Sequence, residues 1–363
     1  PYISRLHFTL EIGADRVVIA DAGSKAGTLV GGVKISKRQL WHGDEIEIGS
    51  SSLRFESDQR DEAVRWSFPA GNGGEMLLVN EGMDTLVGET MGHFKLDRIA
   101  HLGRVSGLFR GRDQKHARPV MVKVMYPSIT SDDAHRNRFV RAVHSMMNVR
   151  HPNLVEVYGA GKQGLYCWCA MELVDGASLR DTINTFGKDG RMDWREALQV
   201  AVPVAQALEC ALEHKVVHRN VSPGNLIQRT DDGFVKLGDL MLAKALEGAN
   251  AEQITAPGEV LGDVAYMSPE QLVNPSQVDW RSDQYGLGAT LYALLTGSAP
   301  FEAKTLKGLL RAVQQDICTF PPQVQGEDNE DFLSIVLKML AKSPEDRFAL
   351  PGQMLNRLHQ LGE

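Results

Sequence analysis

The residues of this chain that are best suited to chemistry lie between His218 and Asp239. Asn220, Ser222 and Asn225 follow His218 closely, and the carboxylate of Asp239 comes after a short strand-like segment. An amide oxygen such as that of Asn220 accepts a hydrogen bond from a hydroxyl group, but it cannot take the proton near neutral pH. Position 220 therefore offers no general base.

These residues resemble the catalytic centre of protein kinases. Residues 218–225 match the motif H-R-D-x-x-x-x-N except at Asn220, and residues 235–241 match the segment around D-F-G. Further motifs follow in family order, so that residues 92–361 resemble the bacterial Ser/Thr protein kinases of eukaryotic type. The resemblance implies that Asn225 and Asp239 hold metal ions, and that Asn220 stands at the position of the catalytic base.

Two further positions depart from the family pattern at the catalytic centre. Ser222 stands where the family has a Lys that neutralises the transferring phosphoryl group. Counting back from His151, Ala142 stands where the family has the helix Glu that pairs with the strand lysine, here Lys123. The sequence therefore predicts a pseudokinase, which keeps the fold of a kinase without its catalysis.

The resemblance implies ATP and Mg²⁺ as cofactors, and the sequence leaves their binding open. Residues 101–106 keep only one glycine of the phosphate loop G-x-G-x-x-G, and glycine is what lets the backbone amides close on a phosphate. Met121 replaces the small residue above the adenine slot, where its side chain either fills the slot or packs aside. The nucleotide contacts of the family fall on Lys123, Gly103, Met121, Glu172, Val174, Asn225 and Ile227.

Other matching residues are implied to build the fold. Glu270 belongs to a match to the A-P-E motif, Asp283 lies in the helix that follows, and Arg347 matches the late Arg that pairs with the A-P-E Glu. The resemblance gives His218 and Arg219 structural roles in the same framework.

Asp263 leaves a second interpretation open. It follows Gly262, where the family has Gly-Thr, and its carboxylate could replace the base that is missing at Asn220. The chain would then be an active Ser/Thr kinase that transfers the γ-phosphate of ATP. The simpler interpretation of Asp263 is an acidic group on an unconstrained activation segment. A third interpretation of the chain is a structural adaptor that uses neither pocket.

The first 56 residues carry a second resemblance. They alternate short strands and tight turns, and residues 4–7, 24–28 and 40–49 resemble the second half of a forkhead-associated (FHA) domain, a β-sandwich that reads phosphothreonine. The resemblance puts Ser4 and Lys25 near the phosphate. The two Asn residues expected to contact a peptide are replaced by Ala26 and Gly31. We therefore expect a partial FHA β-sandwich that shows no measurable preference for a phosphothreonine peptide.

The order of these features predicts a multi-domain chain. We expect a partial FHA β-sandwich at 1–56, a charged and glycine-rich linker at 57–91, and a two-lobed α+β kinase fold at 92–363. Strands fill the N-lobe at 92–171, and helices fill the C-lobe at 175–363.

Local signals fix some helix ends in the C-lobe. Asp193 with Glu196 predicts a capping box at the start of one helix. Ser282 or Asp283 is expected to cap a second helix, which Gly297 is expected to end.

The composition restricts the expected binding partners and the expected cellular compartment of the protein. The net charge is −7 without any run of five Lys or Arg residues, which argues against nucleic acid as a partner. Four scattered cysteines favour the cytoplasm, and Cys167 and Cys169 are interpreted as buried thiols rather than zinc ligands.

No stretch approaches ~18 uninterrupted apolar residues, so the sequence predicts no membrane span and no signal peptide. Expected partners are proteins, such as an active kinase or phosphoproteins.

Overall fold

The computed structural model describes residues 8–12, 17–22, 24, 27–30, 33–40, 44–48, 51–58, 61–67, 83–103, 105–127, 129, 133–186, 191–240, 264–274, 277–303 and 305–362. Ser4, Lys25 and Asp263, which the sequence singled out, lie outside the described residues. The chain divides into two compact units, Pro1–Asp84 and Thr85–Glu363.

The first unit is built from β-strands. In chain order they are β1 (Phe8–Ile12), β2 (Val17–Asp21), β3 (Thr28–Val30), β4 (Val33–Ile35), β5 (Lys37–Leu40), β6 (Glu45–Ile48), β7 (Ser51–Asp58) and β8 (Asp61–Ser67). They form two sheets, ordered β1-β2-β5 and β4-β3-β6-β7-β8, and the pairings are antiparallel. Ile19, Val30, Leu40 and Ile46 are buried in this unit. The predicted β-rich start of the chain is confirmed.

A turn between β2 and β3 is organised by the carboxylate of Asp21. Its Oδ1 accepts hydrogen bonds from Ser24 Oγ at 2.6 Å and from Thr28 Oγ1 at 2.7 Å. Its Oδ2 accepts a hydrogen bond from the backbone N–H of Ser24 at 3.1 Å. Gly27 has a φ of 80°, a conformation that glycine adopts without steric penalty. Asp21 was not among the residues chosen from the sequence, although its short polar side chain before a glycine turn is a turn signal.

Part of the range expected to be a linker is ordered as strand. β7 continues to Asp58, and β8 pairs with it so that Phe55 lies opposite Trp66. Residues 61–67 contain Val64 and Trp66, and both residue types favour strands. We predicted a linker here because charged residues surround them. The expected glycine-rich part of the linker lies outside the described residues.

The second unit begins with an antiparallel sheet that is interrupted by one helix. Its elements are β9 (Thr90–Met91), β10 (Phe94–Leu102), β11 (Ser106–Asp113), β12 (Arg118–Met125), α1 (Asp133–Met146), β13 (Val157–Gln163) and β14 (Tyr166–Glu172). The strand order is β13-β14-β12-β11-β10-β9. On β12, Val120, Val122 and Val124 are fully buried, whereas Met121 and Lys123 lie on the other face and are half-buried.

The rest of the second unit is mainly helical. Its elements are β15 (Gly176–Ser178), α2 (Leu179–Thr185), α3 (Trp194–Glu213), β16 (Leu226–Arg229), β17 (Val235–Leu237), α4 (Pro269–Val273), α5 (Trp280–Thr296), α6 (Leu306–Gln315), α7 (Glu330–Met339) and α8 (Pro351–His359). α3 contacts both α5 and α8. The predicted order, strands first and helices second, is confirmed. None of the helices in the described part of the chain is long and apolar enough to cross a membrane.

Two predicted helix ends are confirmed. The carboxylate of Asp193 caps α3 by accepting a hydrogen bond from the backbone N–H of Arg195 at 2.8 Å. The carboxylate of Glu196 accepts a hydrogen bond from the backbone N–H of Asp193 at 3.3 Å, which completes the capping box. Gly297 ends α5 with a φ of 78° and donates its N–H to the carbonyl of Ala293 at 2.9 Å.

The predicted cap of α5 was wrong. Asp279 caps this helix by accepting a hydrogen bond from the backbone N–H of Arg281 at 2.8 Å. Residues 279–283 offer three capping side chains, and tertiary contacts decide among them. Ser282 and Asp283 are buried in the first turn, where Ser282 Oγ donates to Glu270.

Candidate functional site

An ion pair between Lys123 and Asp239 forms the centre of the candidate site. Lys123 lies on β12, and Asp239 lies two residues after β17 with a left-handed φ of 61°. The ammonium nitrogen of Lys123 donates to both carboxylate oxygens of Asp239, each at 2.7 Å. The two side chains are only 11% and 18% exposed, so water and salt screen their attraction less than that of a surface pair. The carboxylate expected to hold a metal ion is therefore engaged by a cation of the protein.

Helix α1 carries no carboxylate at the position where the family pattern places the partner of Lys123. After Asp133 its sequence contains no Asp or Glu as far as Met146, and Ala142 at the expected Glu position is buried. Asp239 is thus the acidic partner that the fold brings to Lys123.

Cys169 lies opposite Lys123 on the neighbouring strand β14. Cys167 and Cys169 are both fully buried, which confirms their interpretation as core thiols. Burial raises the pKa of the Cys169 thiol well above its usual value, so this thiol stays neutral beside the ion pair.

His218 joins the catalytic-loop segment to the segment that carries Asp239. The ring is fully buried, its Nε2 lies 2.8 Å from the carbonyl of Gly238, and its Nδ1 lies 3.3 Å from the backbone N–H of Asn220. Because that N–H can only donate, Nδ1 accepts and Nε2 carries the proton. Burial lowers the pKa of His218 to about 4, so the ring is neutral.

Asp283 anchors the same segment from helix α5. Its carboxylate accepts the backbone N–H of His218 at 2.7 Å and that of Arg219 at 2.5 Å. Arg219 has a left-handed φ of 61°, a conformation that these bonds help to hold. Burial raises the pKa of Asp283 to about 7, although the two N–H groups act in the opposite direction.

Asn220, Ser222 and Asn225 form one hydrogen-bonded loop. Asn225 Nδ2 donates to the carbonyl of Asn220 at 2.8 Å, and the backbone N–H of Asn225 donates to the carbonyl of Ser222 at 3.0 Å. Ser222 is buried. The backbone N–H of Gly238 donates to the carbonyl of Asn225 at 2.8 Å, so the fold brings the two positions expected to bind metal side by side.

The donor set suits Mg²⁺ in type but not in its present arrangement. Mg²⁺ prefers carboxylate and carbonyl-type oxygens, which Asp239 and Asn225 provide. However, both oxygens of Asp239 accept hydrogen bonds from Lys123, and the amide nitrogen of Asn225 is bound to the backbone. A metal ion at Asp239 would have to bind beside the ammonium group of Lys123, whose positive charge repels it, or displace that group.

The expected nucleotide contacts lie on several elements of the second unit. Gly103 forms the turn between β10 and β11, where its N–H donates to the carbonyl of Ser106 at 2.9 Å. Met121 shares a face of β12 with Lys123 and lies opposite Met171 of β14.

Of the remaining expected contacts, Glu172 ends β14, Val174 follows it, and Ile227 lies on β16. Glu172 accepts a hydrogen bond from Lys236 Nζ at 2.8 Å and from the backbone N–H of Glu156 at 3.2 Å. Its side chain is therefore bound to the protein, and its backbone N–H donates to the carbonyl of Glu156 at 2.8 Å. Val174 is buried and Ile227 on β16 is half-buried. Sequence reasoning missed Lys236, because its partner Glu172 lies on a distant strand.

Glu270 and Arg347 form a further ion pair, in which Arg347 is fully buried and Glu270 is partly buried. Arg347 Nη1 and Nη2 donate to the two carboxylate oxygens of Glu270 at 2.7 Å and 2.9 Å. Burial by itself raises the pKa of Glu270, but the hydrogen bonds and charge of Arg347 bring it below the usual value. The pair links α4 to the segment after α7.

A comparison with protein-family models matches residues 98–358 to the protein kinase domain. The chain belongs to the protein kinase family. The FHA domain model matches residues 1–49 of this kinase-family chain, so an FHA domain precedes the kinase fold.

Curated relatives of this kinase-family chain are bacterial. Serine/threonine-protein kinase PknB of Mycobacterium leprae is 34% identical over 275 residues, which cover 73% of this chain and 43% of PknB. PknB of Mycolicibacterium smegmatis is 33% identical over 276 residues, which cover 74% of this chain and 43% of that protein. The chain spans less than half the length of these relatives.

Solved structures show the same fold. A crystal structure of the Mycobacterium tuberculosis PknI kinase domain has a TM-score of 0.57 at 23% identity, and it covers 76% of this chain and 98% of that domain. A second structure of the PknI kinase domain gives a TM-score of 0.59 at 21% identity, with coverage of 76% of this chain and 98% of that one.

Proposed function

We propose that this protein is a pseudokinase that regulates or scaffolds bacterial Ser/Thr phospho-signalling, through its kinase fold and its FHA module. The observation that carries the proposal is the pairing of Lys123 with Asp239, in a centre whose base position is Asn220. In an active centre the lysine contacts nucleotide phosphates and the aspartate holds the metal ion. Here the two side chains bind each other instead, and each neutralises the charge of the other.

Three replacements weaken the chemistry of this centre. The missing base at Asn220 removes a contribution of about 10²–10⁴-fold, or about 3–5 kcal/mol of barrier. Ser222 brings no positive charge to the transferring phosphoryl group, and Ala142 gives Lys123 no Glu partner. The three losses affect one cooperative unit and do not simply add, but they act on the same transition state.

The well-formed scaffold supports a binding role. His218 and Asp283 retain their buried hydrogen bonds, and Glu270 and Arg347 retain their bidentate pair. Such a scaffold presents a defined surface without needing a catalytic base. FHA domains bind phosphopeptides, so we propose protein partners, such as an active kinase or phosphoproteins, in the cytoplasm.

A phosphoryl-transfer assay tests the proposal. The full chain is incubated with γ-labelled ATP, Mg²⁺ or Mn²⁺ and a generic basic substrate, beside an Asp239→Ala control. We expect no incorporation above that control. We also expect none for Asn220→Asp alone, because Ser222 and Ala142 remain. Metal-dependent transfer by the wild type that disappears in Asp239→Ala would contradict the pseudokinase function.

If phosphoryl transfer is detected, the variant Asp263→Asn tests whether Asp263 supplies the missing base. Loss of transfer in this variant would show that it does. The protein would then be an active Ser/Thr kinase with an atypical base.

A further inference from the structure

Two imidazoles and one carboxylate converge at one end of the sheet that opens the second unit. His93 lies in the turn between β9 and β10, Asp113 ends β11, and His116 lies in the turn that follows. One ligand atom from each of the three residues lies within 4.8 Å of the others. His93 Nε2 is 3.4 Å from Asp113 Oδ1, and His116 Nδ1 is 2.8 Å from Asp113 Oδ2.

We propose that His93, Asp113 and His116 bind a divalent cation of the zinc class, such as Zn²⁺ or Co²⁺. Imidazole nitrogens with one carboxylate oxygen favour these ions over Mg²⁺ and Ca²⁺, which prefer oxygen ligands alone. Tetrahedral bonds of about 2.0–2.1 Å place ligand atoms ~3.3 Å apart, a spacing that the three groups reach with small side-chain movements. The histidine side chains are 43% and 52% exposed, which leaves a fourth position for water.

The carboxylate is positioned by its own hydrogen bonds. Asp113 is fully buried, and its Oδ1 accepts the backbone N–H groups of Lys115 at 3.0 Å and His116 at 3.1 Å. Its Oδ2 accepts Arg118 Nε at 3.0 Å. Contacts of this kind fix the orientation of a metal ligand. The cation replaces the hydrogen bond between His116 and Asp113, and His116 binds through Nδ1 with its proton on Nε2.

The site is separate from the candidate kinase cleft. In the hairpin of β10 and β11, Asp113 pairs with Phe94 at one end, whereas Leu102 pairs with Gly107 beside the Gly103 turn at the other. Eight steps along β10, from Phe94 to Leu102, at about 3.3 Å each separate the two ends by ~25 Å. The cation would fasten the turn at His93 to the turn at His116, and this inference does not depend on the proposed pseudokinase function.

Calorimetry on the full chain, without an affinity tag, tests the site. Wild type is titrated with ZnCl₂ beside His93→Gln, His116→Gln and the double variant. We expect wild type to bind one more equivalent than the double variant, and each single variant to raise the Kd of that equivalent at least tenfold. The matched control is His144→Gln, which removes an exposed histidine of α1 and should bind like wild type.

Three outcomes would overturn the site. Equal zinc binding by wild type and the double variant would do so, as would a loss of binding in His144→Gln alone. Hydrogen exchange provides a readout without a substitution: zinc should slow exchange in the turns around residues 93 and 116, while MgCl₂ should not. Unchanged exchange there in zinc-saturated wild type would also contradict the proposal.

Discussion

At the residue scale, the behaviour of the cleft depends on which group neutralises Asp239. Lys123 provides that charge in this structure, because helix α1 carries no acidic residue at the position of Ala142. A metal ion that binds Asp239 must therefore bind beside the positive charge of Lys123 or displace it. In either case its binding free energy is reduced, by the repulsion between the two cations or by the attraction that it has to break.

Lys123→Met is expected to convert Asp239 into a better metal ligand. The change leaves a largely buried carboxylate without its cation, so we expect a loss of about 1–3 kcal/mol in the free energy of unfolding. MgCl₂ should then stabilise Lys123→Met more than wild type, because the metal ion no longer competes with an ammonium group. Urea unfolding with and without MgCl₂ measures both effects.

Lys236→Met is the matched control for this experiment. Lys236 pairs with Glu172 at 2.8 Å, with side chains 12% and 23% exposed, a setting close to that of Lys123 and Asp239. Lys236→Met should lower the free energy of unfolding, but MgCl₂ should stabilise this variant no more than it stabilises wild type. An equal response to MgCl₂ in wild type and Lys123→Met would show that Lys123 does not block the metal position.

At the scale of elements, the segment between α3 and β16 is held by two buried titratable groups whose effects on stability depend on pH in opposite directions. Asp283 binds the segment to α5, and the ring of His218 binds it to Gly238. Burial lowers the pKa of His218 from 6.5 to about 4. The unfolded state therefore binds more protons in this range, and stability rises with pH. Burial raises the pKa of Asp283 from 3.8 to about 7, so the folded state binds more protons and stability falls with pH. The two contributions oppose each other over most of this range.

Asp283→Asn should reveal the contribution of His218. Without the Asp283 carboxyl, the free energy of unfolding should rise more steeply between about pH 4.5 and about pH 6.5, by at most about 1.4 kcal/mol per pH unit for one proton. Urea unfolding across this range measures the slope, and His359→Gln, an exposed histidine, should keep the wild-type slope. A slope in Asp283→Asn equal to that of wild type would show that Asp283 does not titrate in this window.

Arg347 and Arg281 allow a second comparison at this scale, because both form ion pairs around α5. Arg347 is buried and holds Glu270 in a bidentate pair, so Arg347→Met should lower the free energy of unfolding by about 3–5 kcal/mol. Arg281 binds Asp279 and Glu345, whose carboxylates are exposed, and Arg281→Met should cost less than about 1 kcal/mol. Chemical denaturation of both variants measures the difference. Similar losses would mean that burial does not distinguish the two pairs.

At the scale of the whole molecule, the sequence correctly predicted the features that depend on neighbouring residues or on the order of motifs. The capping box at Asp193 and the glycine end at Gly297 are local and were confirmed, as was the order of strands and helices. The cap of α5 was wrong because Ser282 and Asp283 are bound by distant elements. Lys123 and Asp239 are 116 residues apart in the chain. A local sequence pattern cannot predict which carboxylate forms an ion pair with a lysine at that separation.

The last prediction concerns the FHA module within the full chain. Ala26 replaces the Asn expected to contact the peptide backbone, and Gly31 replaces a later Asn of the family pattern. Leaving the lost amide's hydrogen bond unmade costs about 1–3 kcal/mol. We therefore expect less than a tenfold preference, ~1.4 kcal/mol, for a phosphothreonine peptide over its unphosphorylated form in calorimetry. Ala26→Asn should increase the preference, whereas Asp239→Ala in the kinase fold should leave it unchanged. A wild-type preference above tenfold that Lys25→Ala removes would show that Lys25 reads the phosphate without these amides, and it would make phosphoproteins the partners to search for first.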